Sequence, residues 1–283
     1  MNNQPAPVIT VIVAVFNGSK TLQQCIDSVA QQSYPNKELI IIDGCSTDST
    51  VDLLKANSAK VSYWVSETDN GIYNAWNKGL SQAHGDWICF LGADDYFWDQ
   101  QVLERMSEQL ALIPPDIRVA YGKIMLLTSD GANLYAVGEP WGKVKERFKH
   151  EMSIPHPGLM HRHSLFEVRG KFDESFRIVG DYELLLRELK TGEAAFIPGI
   201  VVTGMRQGGI SSNPEHSLTL LHEVRRAQVT HGQNFPGRIW LMAVVRVYIR
   251  LLLWRVFGEK LTRKALDVGR YIMGLPAYWK KTR

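Results

Sequence analysis

The amino-acid sequence predicts an α/β fold built on a doubly wound, mostly parallel sheet, with a basic helical extension at the C-terminus. Short β-branched apolar runs alternate with helical patterns through the first part of the chain, and a polar turn follows each run. Lys and Arg are concentrated near the C-terminus. At 283 residues and 45% hydrophobic content, the chain can bury one large core and a smaller appended region.

Each element of the first part follows from a local pattern. Val8–Val15 is an apolar run that ends at Asn17-Gly18, and it predicts a buried strand. Leu22, Ile26 and Val29 then recur at helical spacing, and Tyr34-Pro35-Asn36 ends that helix. Further strands are predicted at 38–42, 61–65 and 86–91, and further helices at 50–55 and 72–83.

Acidic and amide side chains follow these strands at the point where each one ends. They are Asn17, Asp43, Asp69 and the pair Asp94-Asp95. Because ligands bind outside the carboxyl ends of parallel strands, we expect one crevice to collect all of them.

The remaining chain has a less regular pattern. We predict a helix at 100–112, a strand at 119–127, a hairpin through Ser129-Asp130-Gly131, and a helix after Gly180. The expected division is a body of residues 1–236, with a nucleotide-binding half (1–98) and an acceptor-binding half (99–236), followed by a tail of residues 237–283.

Charge separates the tail from the body. From Gly237 onward the chain has 11 Lys and Arg residues and only two acidic residues, Glu259 and Asp267, so the formal charge of the tail is +9. Because the net charge of the whole chain is +3, the body has a charge of −6. The tail segment Ile239–Phe257 is apolar but is interrupted by Arg246, Arg250 and Arg255, so we expect a basic amphipathic helix on an anionic membrane surface rather than a span. Packing on the body or on another subunit is the alternative, and nucleic acid fits these apolar residues poorly.

The cysteines and the N-terminus indicate a compartment. Cys25, Cys45 and Cys89 form no Cys-x-x-Cys pair, and the first residues lack the pattern of a secretion signal. Together with the tail, this predicts a protein on the cytoplasmic face of the inner membrane.

Adjacent carboxylates at a strand end predict a cation site. Asp94-Asp95 follows Gly92-Ala93, which leaves room for a ligand, and paired carboxylates suit Mg²⁺ or Mn²⁺. A turn at Asp94 with a helix cap at Asp95 is the alternative. Asp43 ends an apolar strand and could accept a nucleobase N–H, whereas Asp48 is expected to cap a helix and Asp69 fits either a turn or a site.

Four segments, in this order, closely resemble the motifs of family 2 glycosyltransferases with the GT-A fold, and the resemblance extends over residues 8–211. They are Val-Ile-Val-Ala-Val-Phe-Asn17, Ile-Ile-Asp43-Gly-Cys-Ser-Thr-Asp48, Ser-Glu67-Thr-Asp69-Asn-Gly-Ile-Tyr-Asn-Ala-Trp-Asn-Lys78-Gly and Leu-Gly-Ala-Asp94-Asp95. Cys45 departs from the pattern, since glycine is common there.

The resemblance implies roles for these residues. Val15, Asn17 and Asp43 would contact the base with Asp69 beside them, Asp94 would face the ribose, and Asp95 would bind the metal on the diphosphate. Lys78 would neutralise phosphate, or else would be a solvated lysine on a helix face.

Two later segments carry the rest of the resemblance. Gly170 to Arg187 resembles the half in which an Asp near a helix start is the catalytic base, here Asp181, with Glu183 as a competing base and a helix cap as the alternative. His156, His161 and His163 precede it, and one could touch acceptor or phosphate or all could be structural. Arg206-Gln-Gly-Gly-Ile-Ser resembles a loop that closes over the donor, from which Arg206 could reach the diphosphate.

The sequence thus predicts an inverting transferase of the hexosyltransferase class. The Gln-x-x-Arg-Trp signature of processive synthases is absent, so one sugar per encounter is expected. The resemblance implies a UDP-linked donor, and the paired carboxylates predict Mn²⁺ or Mg²⁺ as the cofactor. If the tail rests on the cytoplasmic leaflet, the expected acceptor is a saccharide carried on a polyprenyl diphosphate, as in the assembly of bacterial surface polysaccharides. A nucleotidyltransferase and a membrane-bound, non-catalytic scaffold are the alternatives, and deletion of residues 237–283 is expected to release the protein from vesicles while sparing turnover.

Overall fold

The computed structural model describes residues 6–128, 130–209, 216–272 and 274, which form a nine-stranded sheet covered by helices. The strands are β1 (Ile9–Val15), β2 (Lys37–Asp43), β3 (Tyr63–Ser66), β4 (Trp87–Gly92), β5 (Tyr96–Phe97), β6 (Val119–Leu127), β7 (Asn133–Val137), β8 (Met160–Arg162) and β9 (Ala194–Arg206). The helices are α1 (Leu22–Ala30), α2 (Thr50–Ala56), α3 (Ile72–Leu80), α4 (Val102–Leu110), α5 (Trp141–Phe148), α6 (His163–Arg169), α7 (Gly180–Leu189), α8 (Ser217–Thr230) and α9 (Arg238–Ile272).

The sheet is parallel in its first half and mixed in its second. Its order is β3-β2-β1-β4-β8-β6-β9-β5, with β7 paired to β6. Strands β1 to β4 are mutually parallel, as predicted, and Ile9 lies opposite both Lys37 and Trp87. The short strand β8 runs antiparallel to both β4 and β6, so the chain reverses direction where the two halves join.

Helices cover both faces of the sheet, which explains the uninterrupted apolar strands. Ile9, Val11 and Val13 of β1 pack in a cluster with α1, α2 and α4, whereas Ile12 packs in a second cluster with α3, α5 and α7. A strand that is buried on both faces has no polar side to present, so its sequence does not alternate.

The predicted elements of the first 98 residues are all present, and no end is shifted by more than three residues. The predicted hairpin is present as the antiparallel pair β6 and β7, although Ser129 of its turn lies outside the described residues. Helices α5, α6 and α8 and strands β5, β8 and β9 had no counterpart in the sequence prediction.

The C-terminal helix α9 packs on α8 and directs apolar side chains outward. Trp240 Nε1 donates a hydrogen bond to the Leu221 carbonyl at 3.1 Å, and Arg250 donates to Ser217 Oγ. Val245 and Leu252 are 57% and 61% exposed. The helix is broken at Gly258, where φ is 71°. Within the described ranges, no helix has the length and apolar character needed to cross a bilayer.

Candidate active site

The loop after β1 is held to the loop after β2 by Asn17. This residue has a left-handed backbone (φ 52°), and its side-chain Oδ1 accepts hydrogen bonds from the backbone N–H of Thr47 at 2.9 Å and of Asp48 at 3.4 Å. Its own N–H donates to Ser46 Oγ at 2.7 Å. Val15 precedes it with its side chain in the core, and the Val15 carbonyl accepts from Gly44 N at 2.9 Å. These contacts hold the loops after β1 and β2 in a fixed arrangement.

Asp43 ends β2 and is completely buried. Its carboxylate accepts hydrogen bonds from Ser46 N at 3.0 Å, from Ser46 Oγ, and from Ser66 Oγ at 2.6 Å. A carboxylate has about four acceptor directions, so one remains for a ligand. Asp43 therefore organises the loop around it in this structure. The neighbouring Cys45 has φ 64°, which is the left-handed conformation that favours the expected glycine.

Asp69 lies beside this loop, as the resemblance implied. A β-carbon placed on Gly44 would be only 2.6 Å from Asp69 Oδ2, so the carboxylate rests against the Gly44 backbone. Asp69 also accepts from Gly71 N at 2.9 Å, in the turn that the sequence suggested.

Asp48 and Lys78 are engaged in local contacts. Asp48 accepts from Thr50 Oγ1, which lowers its pKa to about 2, and also from the N–H groups of Thr50 and Ser19. The N-cap residue of α2 is Ser49, so the expectation that Asp48 is the cap is wrong by one residue, although Asp48 does bind the first N–H group of the helix. Lys78 Nζ lies 2.9 Å from Glu67 Oε1 and donates to the Thr68 carbonyl at 2.8 Å. The lysine thus braces the loop between β3 and α3.

Asp94 and Asp95 follow β4 with their carboxylates close together. A β-carbon placed on Gly92 would lie 2.7 Å from Asp94 Oδ1 and 3.0 Å from Asp95 Oδ2. Asp95 is 6% exposed, and burial, reinforced by the charge of Asp94, raises its pKa well above the usual range. Two such groups are costly to keep ionised without a cation.

Arg206 brings positive charge to this pair from the end of β9. Its backbone N–H donates to Asp95 Oδ1 at 3.3 Å, and its guanidinium donates to the Asp94 carbonyl at 3.1 Å and to Gln24 Oε1 at 2.6 Å. The last two residues of the predicted closing loop, 210 and 211, lie outside the described residues.

Asp181 occupies the first turn of α7, on the same edge of the sheet. Tyr73 Oη, from the first turn of α3, donates to Asp181 Oδ1 at 3.3 Å, and His156 Nδ1 is 4.0 Å from Asp181 Oδ2. The side chain is 23% exposed, so it is accessible to a ligand. Desolvation raises the pKa of Asp181 to about 6 despite hydrogen bonds from Tyr182 N and Tyr73.

Glu183, the competing base, faces away from this site. It is buried and paired with Arg187 at 2.7 Å and with His231 at 2.9 Å, so its carboxylate has a structural role.

The three histidines differ in environment. His156 stacks on Trp76 at 5.2 Å between ring centroids, and burial lowers its pKa to about 3. His161 is buried and bonds the Ile88 carbonyl at 3.2 Å, and His163 bonds the Gly85 carbonyl at 2.9 Å. Only His156 lies beside Asp181.

Three residues at the site had no role in the sequence prediction. Phe16 directly follows β1 and is 66% exposed. An aromatic residue directly after an aliphatic strand is a sequence signal that could have indicated a role in ligand binding. Tyr73 contacts Asp181, and Glu223 contacts the segment before it. No local pattern marks Tyr73 or Glu223, because both act on residues distant in the sequence.

Known proteins resemble this chain in sequence and in fold. Residues 10–125 match the family model described as glycosyl transferase family 2. An uncharacterised glycosyltransferase of Mycobacterium tuberculosis is 30% identical over 235 residues, which cover 82% of this chain and 88% of that protein. The chain belongs to glycosyltransferase family 2. A PGL/p-HBAD biosynthesis glycosyltransferase of Mycobacterium bovis is 28% identical over 187 residues, which cover 64% of this family 2 chain and 70% of that protein.

Solved structures share the GT-A-like fold of this family 2 glycosyltransferase. TarS of S. aureus in complex with UDP-GlcNAc superposes with a TM-score of 0.62 at 19% identity, covering 78% of this chain and 66% of TarS. The mannosyltransferase PcManGT of Pyrobaculum calidifontis, in complex with GDP-Man and Mn²⁺, has a TM-score of 0.61 at 17% identity, covering 95% and 81% of the two chains.

Proposed function

We propose that this glycosyltransferase moves one sugar per encounter from a UDP-linked donor to an acceptor hydroxyl, with inversion at the anomeric carbon. The observation that carries the proposal is the environment of Asp181. Its carboxylate is partly exposed at the ligand edge of the sheet, and its pKa of about 6 suits a group that must take up a proton near neutral pH.

The proposed reaction is a single displacement. The acceptor oxygen attacks the anomeric carbon, its proton passes to a carboxylate oxygen of Asp181, and the bond from the anomeric carbon to the diphosphate oxygen breaks. The nucleoside diphosphate leaves with the bonding electrons. Tyr73 orients Asp181 through its hydrogen bond to Oδ1, and His156, uncharged because burial lowers its pKa, faces the other oxygen without neutralising it.

The residues after β4 suit a divalent cation. No cluster of three or more His, Cys, Asp or Glu side chains that could hold a metal is found among the described residues, but Mg²⁺-type sites commonly use one or two carboxylates together with substrate phosphates. The pair Asp94-Asp95, of which Asp95 is buried and Asp94 half-buried, has this donor set, with Asp95 as the ligand. A bound Mn²⁺ or Mg²⁺ would supply positive charge to the departing diphosphate. Arg206 adds a second positive charge at the same place.

The donor base is proposed to bind between the loops after β1 and β2. Phe16 offers an exposed ring on the first of these loops, Asn17 and Asp43 join the two loops through Ser46, and Asp69 lies against Gly44. UDP-GlcNAc bound to TarS and GDP-Man bound to PcManGT support a nucleotide diphosphate sugar as the donor class.

The acceptor is proposed to be a lipid-linked saccharide presented at the cytoplasmic face of the inner membrane. The support is the outward apolar face of α9, next to exposed basic residues such as Arg246 and Arg255, which is the composition of a helix lying in the headgroup region.

The test combines donor binding with turnover. Nucleotide sugars are screened by thermal shift with and without Mn²⁺, and the best donor is then used in a transfer assay with wild type and Asp181→Asn. We expect UDP-linked sugars to stabilise the protein and the variant to bind donor without transferring the sugar. Equal turnover by the variant would contradict the assignment of Asp181.

A further inference from the structure

Glu223 on α8 contacts the segment that precedes Asp181, and it has no role in the reaction proposed above. Its buried carboxylate accepts three backbone hydrogen bonds, from the N–H groups of Arg177 at 2.8 Å, Ile178 at 2.9 Å and Val179 at 3.0 Å. These three residues directly precede α7, which carries Asp181 as its second residue. A side chain from a different helix therefore holds the segment that leads into the base.

The start of α7 lacks the capping group that a helix normally supplies for itself. Its N-cap residue is Val179, which has no side-chain acceptor, and no side-chain cap hydrogen bond is formed there. Buried N–H groups without partners destabilise a fold, so the turn at 177–179 depends on Glu223 for its acceptors.

The same turn fixes where Asp181 points. Val179 accepts the first helical hydrogen bond, from Glu183 N at 2.9 Å, and Gly180 packs so closely on Tyr73 that a β-carbon there would lie 2.8 Å from the ring. Tyr73 is also the residue that donates to Asp181. A shift of the turn would thus move the base and its hydrogen-bond donor relative to each other.

We propose that Glu223 is a positioning residue, which anchors the 177–179 turn so that Asp181 is held in the orientation required to accept the proton of the acceptor hydroxyl. The inference rests on the proposed function of Asp181. Glu223 also acts at a distance, because its negative charge contributes, after desolvation, to the raised pKa of Asp181. The other groups that face Asp181 are Tyr73 and His156, both uncharged near neutral pH.

Two substitutions separate position from charge. Glu223→Asp keeps the charge but withdraws the carboxylate from the turn, so we expect kcat to fall about 10- to 100-fold with an unchanged KM for the donor. Glu223→Gln keeps the length but loses the charge and at least one acceptor. We expect a similar loss of kcat and also a shift of the acidic limb of the kcat profile to lower pH, because removal of a negative charge lowers the pKa of Asp181.

Glu188→Gln is the matched control. Glu188 is also buried, on the same helix α7, and is paired with Arg118 at 2.9 Å and Arg169 at 2.8 Å, but it contacts nothing at the turn. It should lower Tm and leave both kcat and the pH profile of the folded fraction as in wild type.

The outcomes distinguish the two proposals. Suppose that Asp181→Asn is inactive, whereas both Glu223 variants are folded at the assay temperature and keep the wild-type kcat and pH profile. The positioning role of Glu223 is then wrong, and the assignment of Asp181 as the base still holds. If Asp181→Asn keeps turnover, both assignments fail. If either Glu223 variant does not fold, the positioning role is tested by amide hydrogen exchange of the wild-type protein. We expect slow exchange at the backbone amides of residues 177–179, and fast exchange there would contradict the proposal that Glu223 holds this turn.

Discussion

At the residue scale, the structure assigns different tasks to carboxylates that look alike in the sequence. Asp43 and Glu183 are fully buried or nearly so and are held by neighbouring residues, whereas Asp181 keeps an accessible face and a raised pKa. Environment, rather than residue type, therefore separates the proposed base from the structural acids.

Asp181→Asn is expected to lower kcat about 10²- to 10⁴-fold, the usual contribution of a general base. In wild type, kcat should rise with pH through about 6, because Asp181 must be ionised to accept a proton. The measurement is a pH series of turnover at saturating donor. A profile that is flat from pH 5 to 8 would argue against Asp181.

The stability of Asp181→Asn provides an internal control. A carboxyl group whose folded-state pKa is raised from 3.8 to about 6 destabilises the fold progressively as the pH rises through that window. The variant should therefore melt no lower than wild type at pH 8, as measured by calorimetry, and the activity loss cannot then be attributed to unfolding.

Asp95→Asn tests the cation site. Without metal, the variant should melt about 2–4 °C higher than wild type, because relief of a buried charge near Asp94 is worth about 1 kcal/mol or more. It should also lose the additional stabilisation that Mn²⁺ gives in the presence of UDP. Undiminished Mn²⁺-dependent stabilisation by UDP in the variant would remove Asp95 from the site.

The residues proposed to bind the donor could be predicted from the sequence, but most of the contacts that they make could not. Asn17, Asp43, Asp69 and Asp95 follow consecutive strands, and the parallel sheet brings those ends together, so their common location could be inferred from spacing alone. Tyr73 and Glu223 could not be assigned roles, because their partners are more than 40 residues away along the chain.

At the element scale, the contact between α7 and α3 controls the geometry around the proposed base. Gly180→Ala is expected to destabilise the protein by about 1–3 kcal/mol and to lower kcat, because the added methyl group overlaps the Tyr73 ring. Denaturant unfolding and turnover measure the two effects.

The control for that substitution lies in α5. A β-carbon on Gly142 would meet nothing within 4 Å, so Gly142→Ala should stabilise the protein by about 0.5–1 kcal/mol and leave turnover unchanged. If Gly180→Ala behaved in the same way, the close contact with Tyr73 would not constrain the site.

Element prediction succeeded where apolar periodicity was continuous and failed where it was not. Strands β1, β2 and β4 are buried on both faces, helices α1 to α3 pack against this part of the sheet, and the apolar patterns of these elements are continuous. Strand β9 was not predicted, because it contains Pro198 and Gly199, which locally interrupt a strand pattern.

At the scale of the whole molecule, the tail carries the proposed membrane contact. Leu252→Glu combined with Val256→Glu places charges on the outward face of α9 and should reduce binding to phosphatidylglycerol-containing vesicles at least about tenfold, as measured by co-sedimentation. Leu112→Glu, at a body position that is 77% exposed, should leave vesicle binding unchanged. Equal binding by the double variant and wild type would show that this face does not meet lipid.

The packing of α9 on α8 makes truncation an ambiguous experiment. Removal of residues 237–283 would strip Trp240 and Arg250 from α8, the helix that also supplies Glu223 to the turn before Asp181. A shortened protein that stopped working would be equally consistent with a missing anchor and with a loosened scaffold. Surface substitutions that leave the interface between α8 and α9 intact can separate an effect on membrane binding from an effect on turnover.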